Sequence, residues 1–208
     1  MANPRVYDVD TAMGAVVSTN KVLRNTYMLL GLTLLFSATT AGISMAIGIG
    51  QGMALILTLV GFGLLFVVNR MADSSKGLLA IFAFTGVMGA ALGPMLSYYL
   101  SMPGGPALVL QALGGTAVVF FGLSAYALTT RRDFSFLGGF LMVGLIVALV
   151  AMLANIFLNI PALSLTISAA IVFIMSGLIL FDTSRIVNGG ETNYIRATVG
   201  LYLNIYNL

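Results

Sequence analysis

Long apolar stretches alternate with short charged segments along the whole chain, and this alternation predicts the secondary structure. Asn25 to Asn69 carries no charged residue, and this block is about twice as long as the roughly 20 residues that one membrane-spanning helix needs. The glycine-rich run Gly48 to Gly52 lies inside the block and favours a turn, because glycine interrupts helices at little cost. The block is therefore predicted to form a helical hairpin.

Two further charge-free blocks predict two further hairpins. Gly77 to Thr130 contains the segment Ser101 to Pro106, in which two prolines flank two glycines and which no regular helix tolerates. Phe134 to Phe181 is interrupted at Asn159 to Ala162 by another proline. The charged connectors that follow the three blocks are residues 70–76, 131–133 and 182–193.

A seventh helix is predicted to begin near Tyr194 and to run to Leu208. It has only about 14 residues, which is short for a complete crossing of the bilayer. Two interpretations stay open: either this helix is re-entrant or half-buried, or the natural chain continues beyond Leu208. The predicted fold is all-α, with three hairpins and a final helix.

The first 24 residues differ from the rest because they are polar and carry several charges. Residues 1–24 are predicted to form a tail in water or on the lipid headgroups, with Ser18 to Asn20 as a helix cap before the first span. Residues 25–208 then form one seven-helix membrane domain.

The composition supports an integral membrane protein and excludes most enzyme chemistry. Hydrophobic residues make up 60% of the 208 residues, charged residues only 7%, and the mean hydropathy is +1.07. The chain has no Cys and no His, so thiolate chemistry and the commonest general base are missing. No catalytic residue, metal site or cofactor is predicted, and the scattered basic residues form no patch for nucleic acid.

The charged residues also predict the orientation in the membrane. All nine Lys and Arg residues lie in the tail, in the three charged connectors or at the start of helix seven, and the three opposite turns carry none. By the positive-inside rule, the tail and the connectors are cytoplasmic.

Polar residues at the ends of helices six and seven are the candidate functional site. Polar side chains are costly in hydrocarbon, so a membrane helix that keeps them usually uses them. Asp182 closes helix six, and Arg185 lies within reach for an ion pair if that helix runs one turn further. Asp182 is either half of an interfacial salt bridge or a titratable gate residue that faces helix seven. Asn204 either fastens helix seven by an interhelical hydrogen bond or lines a pore. Helical spacing places a small, polar stripe on helix seven, which is expected to face protein: Asn193, Ala197, Gly200, Asn204 and Asn207.

Glycines predict where helices approach each other closely. Gly86, Gly89 and Gly93 precede Pro94 and give the third helix a close-packing face. The pairs Gly114-Gly115 and Gly138-Gly139 are likewise predicted to be packing positions, since none of them lies in a phosphate-binding motif.

Three segments near the end of the chain form a recognisable pattern: Phe181-Asp-Thr-Ser-Arg-Ile, Gly189-Gly-Glu-Thr-Asn-Tyr-Ile-Arg-Ala and Leu201-Tyr-Leu-Asn-Ile-Tyr-Asn-Leu. They resemble the C-terminal signature of the Bax inhibitor-1 (transmembrane Bax inhibitor motif) family. The resemblance extends over nearly the whole chain, and the helix count agrees with it.

The resemblance implies two functions. Similarity to bacterial members of the family implies an inner-membrane protein that is a substrate-like inhibitor of the ATP-dependent membrane protease FtsH, with residues within Met1 to Arg24 as the handle that the protease grips. Other members are pH-sensitive calcium leak channels, in which two aspartates share a proton and latch onto an arginine. Asp182 matches the first aspartate and Arg70 falls near the arginine, but Asn204 replaces the second aspartate. This departure argues against the paired titration.

Overall fold

The computed structural model describes the backbone of residues 4–208 and the side chains from Thr19 onward. Within these residues the chain forms seven α-helices and no strand. Their bounds are α1 Pro4–Ala46, α2 Gln51–Met71, α3 Lys76–Leu100, α4 Gly105–Thr130, α5 Leu137–Leu158, α6 Pro161–Val187 and α7 Tyr194–Asn207.

The three turns predicted inside the apolar blocks are confirmed. Their turns lie between Ala46 and Gln51, between Leu100 and Gly105, and between Leu158 and Pro161, where the glycine and proline clusters predicted them. Gly48, Gly104 and Asn159 adopt positive φ angles of 67°, 76° and 50° in these turns, a conformation that glycine and asparagine accept at least cost.

Among the described residues, six helices are long and apolar enough to cross a membrane: α2 to α6 along their whole length, and α1 over Thr19–Ala46. The seventh, α7, has 14 residues, fewer than the roughly 20 that a full crossing needs. The chain is therefore a multi-pass helical membrane protein, as its composition predicts.

Two helix bounds differ from the prediction. Helix α1 begins at Pro4 and continues through Ser18 to Asn20, so these residues do not form the predicted cap. Helix α6 continues past Phe181 to Val187, so Asp182 and Arg185 lie inside the helix. In both cases the charges mark the edge of an apolar block, but backbone hydrogen bonds can continue a helix beyond that edge into polar surroundings.

The chain divides into two compact units, which are described separately. The α1–α3 unit contains Val22–Gly115 and Asn193–Tyr202. The α5–α6 unit contains Thr116–Thr192 and Leu203–Leu208, together with the start of α1 up to Lys21. Helix α7 thus contributes its first nine residues to one unit and its last turn to the other.

In the α1–α3 unit, glycines of α3 bring α1 very close. An added Cβ atom on Gly89 would lie 2.7 Å from Cα of Ser37, and one on Gly93 would lie 2.5 Å from Cβ of Ser44. Cβ atoms in real structures almost never lie closer than 3.0 Å to another atom, so neither glycine has room for a side chain. The Ser44 hydroxyl also donates a hydrogen bond to the carbonyl of Ala90 at 2.7 Å. The predicted close-packing face of α3 is thus confirmed.

In the α5–α6 unit, α5 and α6 pack through an aliphatic core formed by Leu141, Ala148, Ile174 and Met175. Gly138 lies against the ring of Phe181 and therefore packs as predicted. Gly139 and the pair Gly114-Gly115 have no atom within 4 Å of an added Cβ, so the packing predicted for them is not found.

Candidate functional site

Asp182 and Asn204 form a hydrogen bond between α6 and α7, within the α5–α6 unit. The Asn204 amide Nδ2 donates to Oδ2 of Asp182 at 2.8 Å. Asn204 is 6% exposed, and Asp182 is half-buried. The interhelical hydrogen bond that the sequence predicted as one role of Asn204 is therefore present, and it attaches the last turn of α7 to α6.

Arg185 does not form the predicted ion pair with Asp182 in the described part of the chain. Its Nη2 atom lies 3.8 Å from Oε2 of Glu191 and donates to the carbonyl of Gly190 at 3.3 Å. Its guanidinium carbon also lies 5.5 Å from the centre of the Phe181 ring. The reason is the turn after α6: Gly189 has a φ angle of 75°, and the amides of Gly190 and Glu191 donate back to the carbonyl of Arg185.

The predicted stripe on α7 divides into residues with different surroundings. Ala197 and Asn204 are buried, and Gly200 is partly buried. Asn207 is exposed, and its amide donates to the carbonyl of Leu203 in its own helix. Asn207 therefore does not pack against protein in the described part of the chain, since its amide is satisfied within its own helix.

Asn193 has a role that the sequence did not indicate. Its Oδ1 accepts hydrogen bonds from the amides of Ile195 at 2.9 Å and Arg196 at 3.1 Å, which is the geometry of an N-cap. Its Nδ2 donates to the carbonyl of Ala72 and to Oδ1 of Asp73. Asn193 therefore caps α7 and also binds the α2–α3 connector, within the α1–α3 unit.

The middle of α7 is buried and hydrogen-bonded to α1 and α3 in the same unit. Tyr202 is 0% exposed, and its hydroxyl lies 2.8 Å from the hydroxyl of Ser37. The hydroxyl of Thr198 donates to its own helix at Tyr194 and lies 3.3 Å from the carbonyl of Thr26. These contacts satisfy polar groups that would otherwise be costly in an apolar interior.

The α4–α5 connector is held by the end of α6, which the sequence also did not indicate. The Ser184 hydroxyl donates to the carbonyl of Arg132 at 2.9 Å and accepts the amide of Phe134 at 3.0 Å. The Asn188 amide donates to the same carbonyl at 3.2 Å. Pairs so distant in sequence leave no periodic pattern, so only the structure reveals them.

Two predicted elements of the site stay predictions. Arg70 is exposed in the last turn of α2, in the α1–α3 unit, and its role as a latch for Asp182 is not tested. The handle within Met1 to Arg24 falls largely outside the side chains that the structure describes.

The site contains one half-buried carboxylate with an amide partner. Among the residues whose side chains are described, no group of three or more His, Cys, Asp or Glu residues lies together in a way that holds a metal ion. The arrangement can attach α7 to α6 and can place a single negative charge at the end of α6.

Comparison with known proteins identifies the family. The family model described as "Inhibitor of apoptosis-promoting Bax1" matches residues 19–208. The chain therefore belongs to the Bax inhibitor-1 family, as the C-terminal segments predicted.

Three relatives are similar over almost their whole length. "Modulator of FtsH protease YccA" from Escherichia coli strain K12 is 56% identical over 93% of this chain and 88% of the relative. "Inner membrane protein YccA" from E. coli O6:H1 has the same identity and coverage. An "Uncharacterized membrane protein" from Vibrio cholerae is 51% identical over 99% of this chain and 93% of the relative.

Proposed function

We propose that this protein is an inner-membrane modulator of an FtsH-type protease and that it acts as a substrate-like inhibitor. The observation that carries the proposal is the identity of 56% over 93% of the chain with a protein named as a modulator of FtsH protease. The inner-membrane location rests on a relative named as an inner membrane protein and on the six helices that are apolar enough to span a bilayer.

A substrate-like inhibitor needs a segment that the protease grips and a body that resists extraction. The proposed handle lies within Met1 to Arg24, the longest polar segment of the chain. The proposed body is the bundle, in which α3 packs on α1 at Gly89 and Gly93. A chain without residues 1–18 lacks most of the proposed handle but keeps the apolar span Thr19–Ala46. Comparing its inhibition of the purified protease with that of the native chain therefore tests the handle.

We also propose that the tail and the charged connectors are cytoplasmic and that α7 enters the bilayer from that side. An alkaline phosphatase, which is active only outside the cytoplasm, fused within connector 131–136 is expected to be inactive. The same enzyme fused at Gly104, in an opposite turn, is expected to be active. Activity at the connector would contradict this orientation, which rests on the positive-inside rule.

A cation leak is the second candidate function, and the position of Asp182 favours it. A half-buried carboxylate near the end of a membrane helix is a feature of ion pathways. Here its partner is the neutral amide of Asn204 at 2.8 Å, and not a second aspartate that could share its proton. We therefore expect any calcium leak to lack the coupled pH dependence of two carboxylates in hydrogen-bond range.

Replacing Asn204 by aspartate tests this second function. The variant Asn204→Asp places a second carboxylate in hydrogen-bond range of Asp182, where two negative charges cannot both form cheaply and the pair shares a proton. Calcium flux into dye-loaded vesicles is expected to gain in Asn204→Asp a pH dependence larger than that of the native chain, and to lose its pH dependence in Asp182→Asn. The same pH dependence in the native chain and in Asn204→Asp would refute the role of position 204.

A further inference from the structure

Three side chains tie the α2–α3 connector to the first turn of α7. Asp73 accepts a hydrogen bond from Nδ2 of Asn193 at 2.8 Å through one oxygen, and it forms a salt bridge with Arg196 through the other. Asn193 also donates to the carbonyl of Ala72 at 2.9 Å. One carboxylate on the connector therefore binds two residues that flank the start of α7.

The same contacts hold the start of α7 in its helical form. Because Oδ1 of Asn193 caps the helix, the orientation of this side chain fixes both the first turn and its attachment. In the same turn, Ile195 is 1% exposed, and its Cδ1 atom would lie 2.8 Å from a Cβ atom added to Gly77. The first turn of α7 is thus closely packed on the beginning of α3 and fastened at its edge by Asp73.

The part of α7 that follows this turn contacts α1. Thr198 approaches the carbonyl of Thr26, and Tyr202 meets Ser37 at 2.8 Å. A protease that pulls on the N-terminal segment must withdraw α1 first, and withdrawal of α1 breaks these contacts. An attached α7 therefore opposes the removal of α1.

We propose that Asp73 is a latch that keeps α7 in place and thereby limits the rate at which an FtsH-type protease extracts the chain. This inference rests on the proposed function and adds the residue that controls it. The side chains of Asp73 and Arg196 are 68% and 43% exposed, and exposed ion pairs are weak. The latch therefore slows extraction without preventing it.

The first test uses no protease. In proteoliposomes, Asn193→Ala is expected to speed hydrogen exchange of the α7 amides 195–202 about fivefold, the effect of losing one helix cap. Asp73→Asn is expected to speed the same exchange about twofold, the effect of losing an exposed ion pair. The matched control is Asp133→Asn, since Asp133 is also an exposed connector carboxylate but accepts a hydrogen bond from Ser135 in its own connector. Equal exchange in Asp73→Asn and Asp133→Asn would overturn the latch.

The second test adds the purified protease and ATP to the same vesicles. Asp73→Asn is expected to be degraded about twofold faster than the native chain, in keeping with the loss of an exposed ion pair, and Asp133→Asn at the native rate. The double variant Asp73→Arg with Arg196→Asp restores the ion pair and is expected to recover part of the resistance. If Asp73→Asn exchanges faster but is not degraded faster, Asp73 does not limit the rate of extraction.

The latch and the proposed function fail in different ways. Inhibition is measured separately, as the ability of the native chain to slow degradation of a second membrane substrate. If the native chain inhibits but the Asp73 variant is degraded at the native rate, the latch is wrong and the proposed function stands. If the native chain neither inhibits the protease nor is degraded by it, the proposed function is wrong, and so is the claim that Asp73 limits the rate of extraction.

Discussion

Gly89→Ala is expected to destabilise the bundle by about 1–3 kcal/mol, the usual cost of overpacking a close contact, and Gly89→Leu is expected to prevent correct folding. An added Cβ atom would collide with the carbonyl oxygen and Cα of Ser37 and with the hydroxyl of Thr40. Two of these three atoms belong to the backbone of α1, so the collision can be relieved only by moving that helix. Helices in membranes rely on such close approaches for their packing.

Gly115→Ala is the matched control, because Gly115 also lies within a predicted span but has no atom within 4 Å of an added Cβ. Its stability is expected to be unchanged or slightly higher, since alanine favours helices over glycine. The measurement is reversible unfolding in detergent or bicelles. If Gly89→Ala and Gly115→Ala have the same stability, the close α1–α3 contact is not present in solution.

The turns were predictable because each lies at a glycine or proline cluster inside a long block without charged residues. The turns at Gly48, Gly104 and Asn159 lie where these residues predicted them. The charges mark where the membrane should end, but they do not mark where a helix ends. For this reason α1 begins at Pro4 and α6 ends at Val187, farther out than the sequence indicated.

The side-chain contacts between distant segments were only partly predictable. Asp182 and Asn204 drew attention because polar residues are rare in this chain, and they are indeed joined by a hydrogen bond. Sequence spacing predicts that Arg185 pairs with Asp182, whereas the turn at Gly189 brings Glu191 to it. Asp73 and Arg196 are both charged, but nothing in one sequence relates a residue of the α2–α3 connector to a residue in the first turn of α7.

Inhibition of the protease by the purified chain is the other large expected effect. A competitor at about ten times its dissociation constant leaves roughly a tenth of the protease free. Degradation of a second membrane substrate is therefore expected to slow about tenfold at that concentration of the native chain. The chain without residues 1–18 is expected to inhibit much less, because it lacks most of the proposed handle but keeps the span Thr19–Ala46.

The central claim is tested most directly by the degradation rate of that second substrate in vesicles that contain an FtsH-type protease and ATP. The rate is measured with increasing amounts of the native chain and, separately, of the chain without residues 1–18. The account predicts a saturable decrease with the native chain and a much smaller decrease with the shortened one. An unchanged rate at a molar excess of the native chain would contradict the claim that this protein modulates the protease.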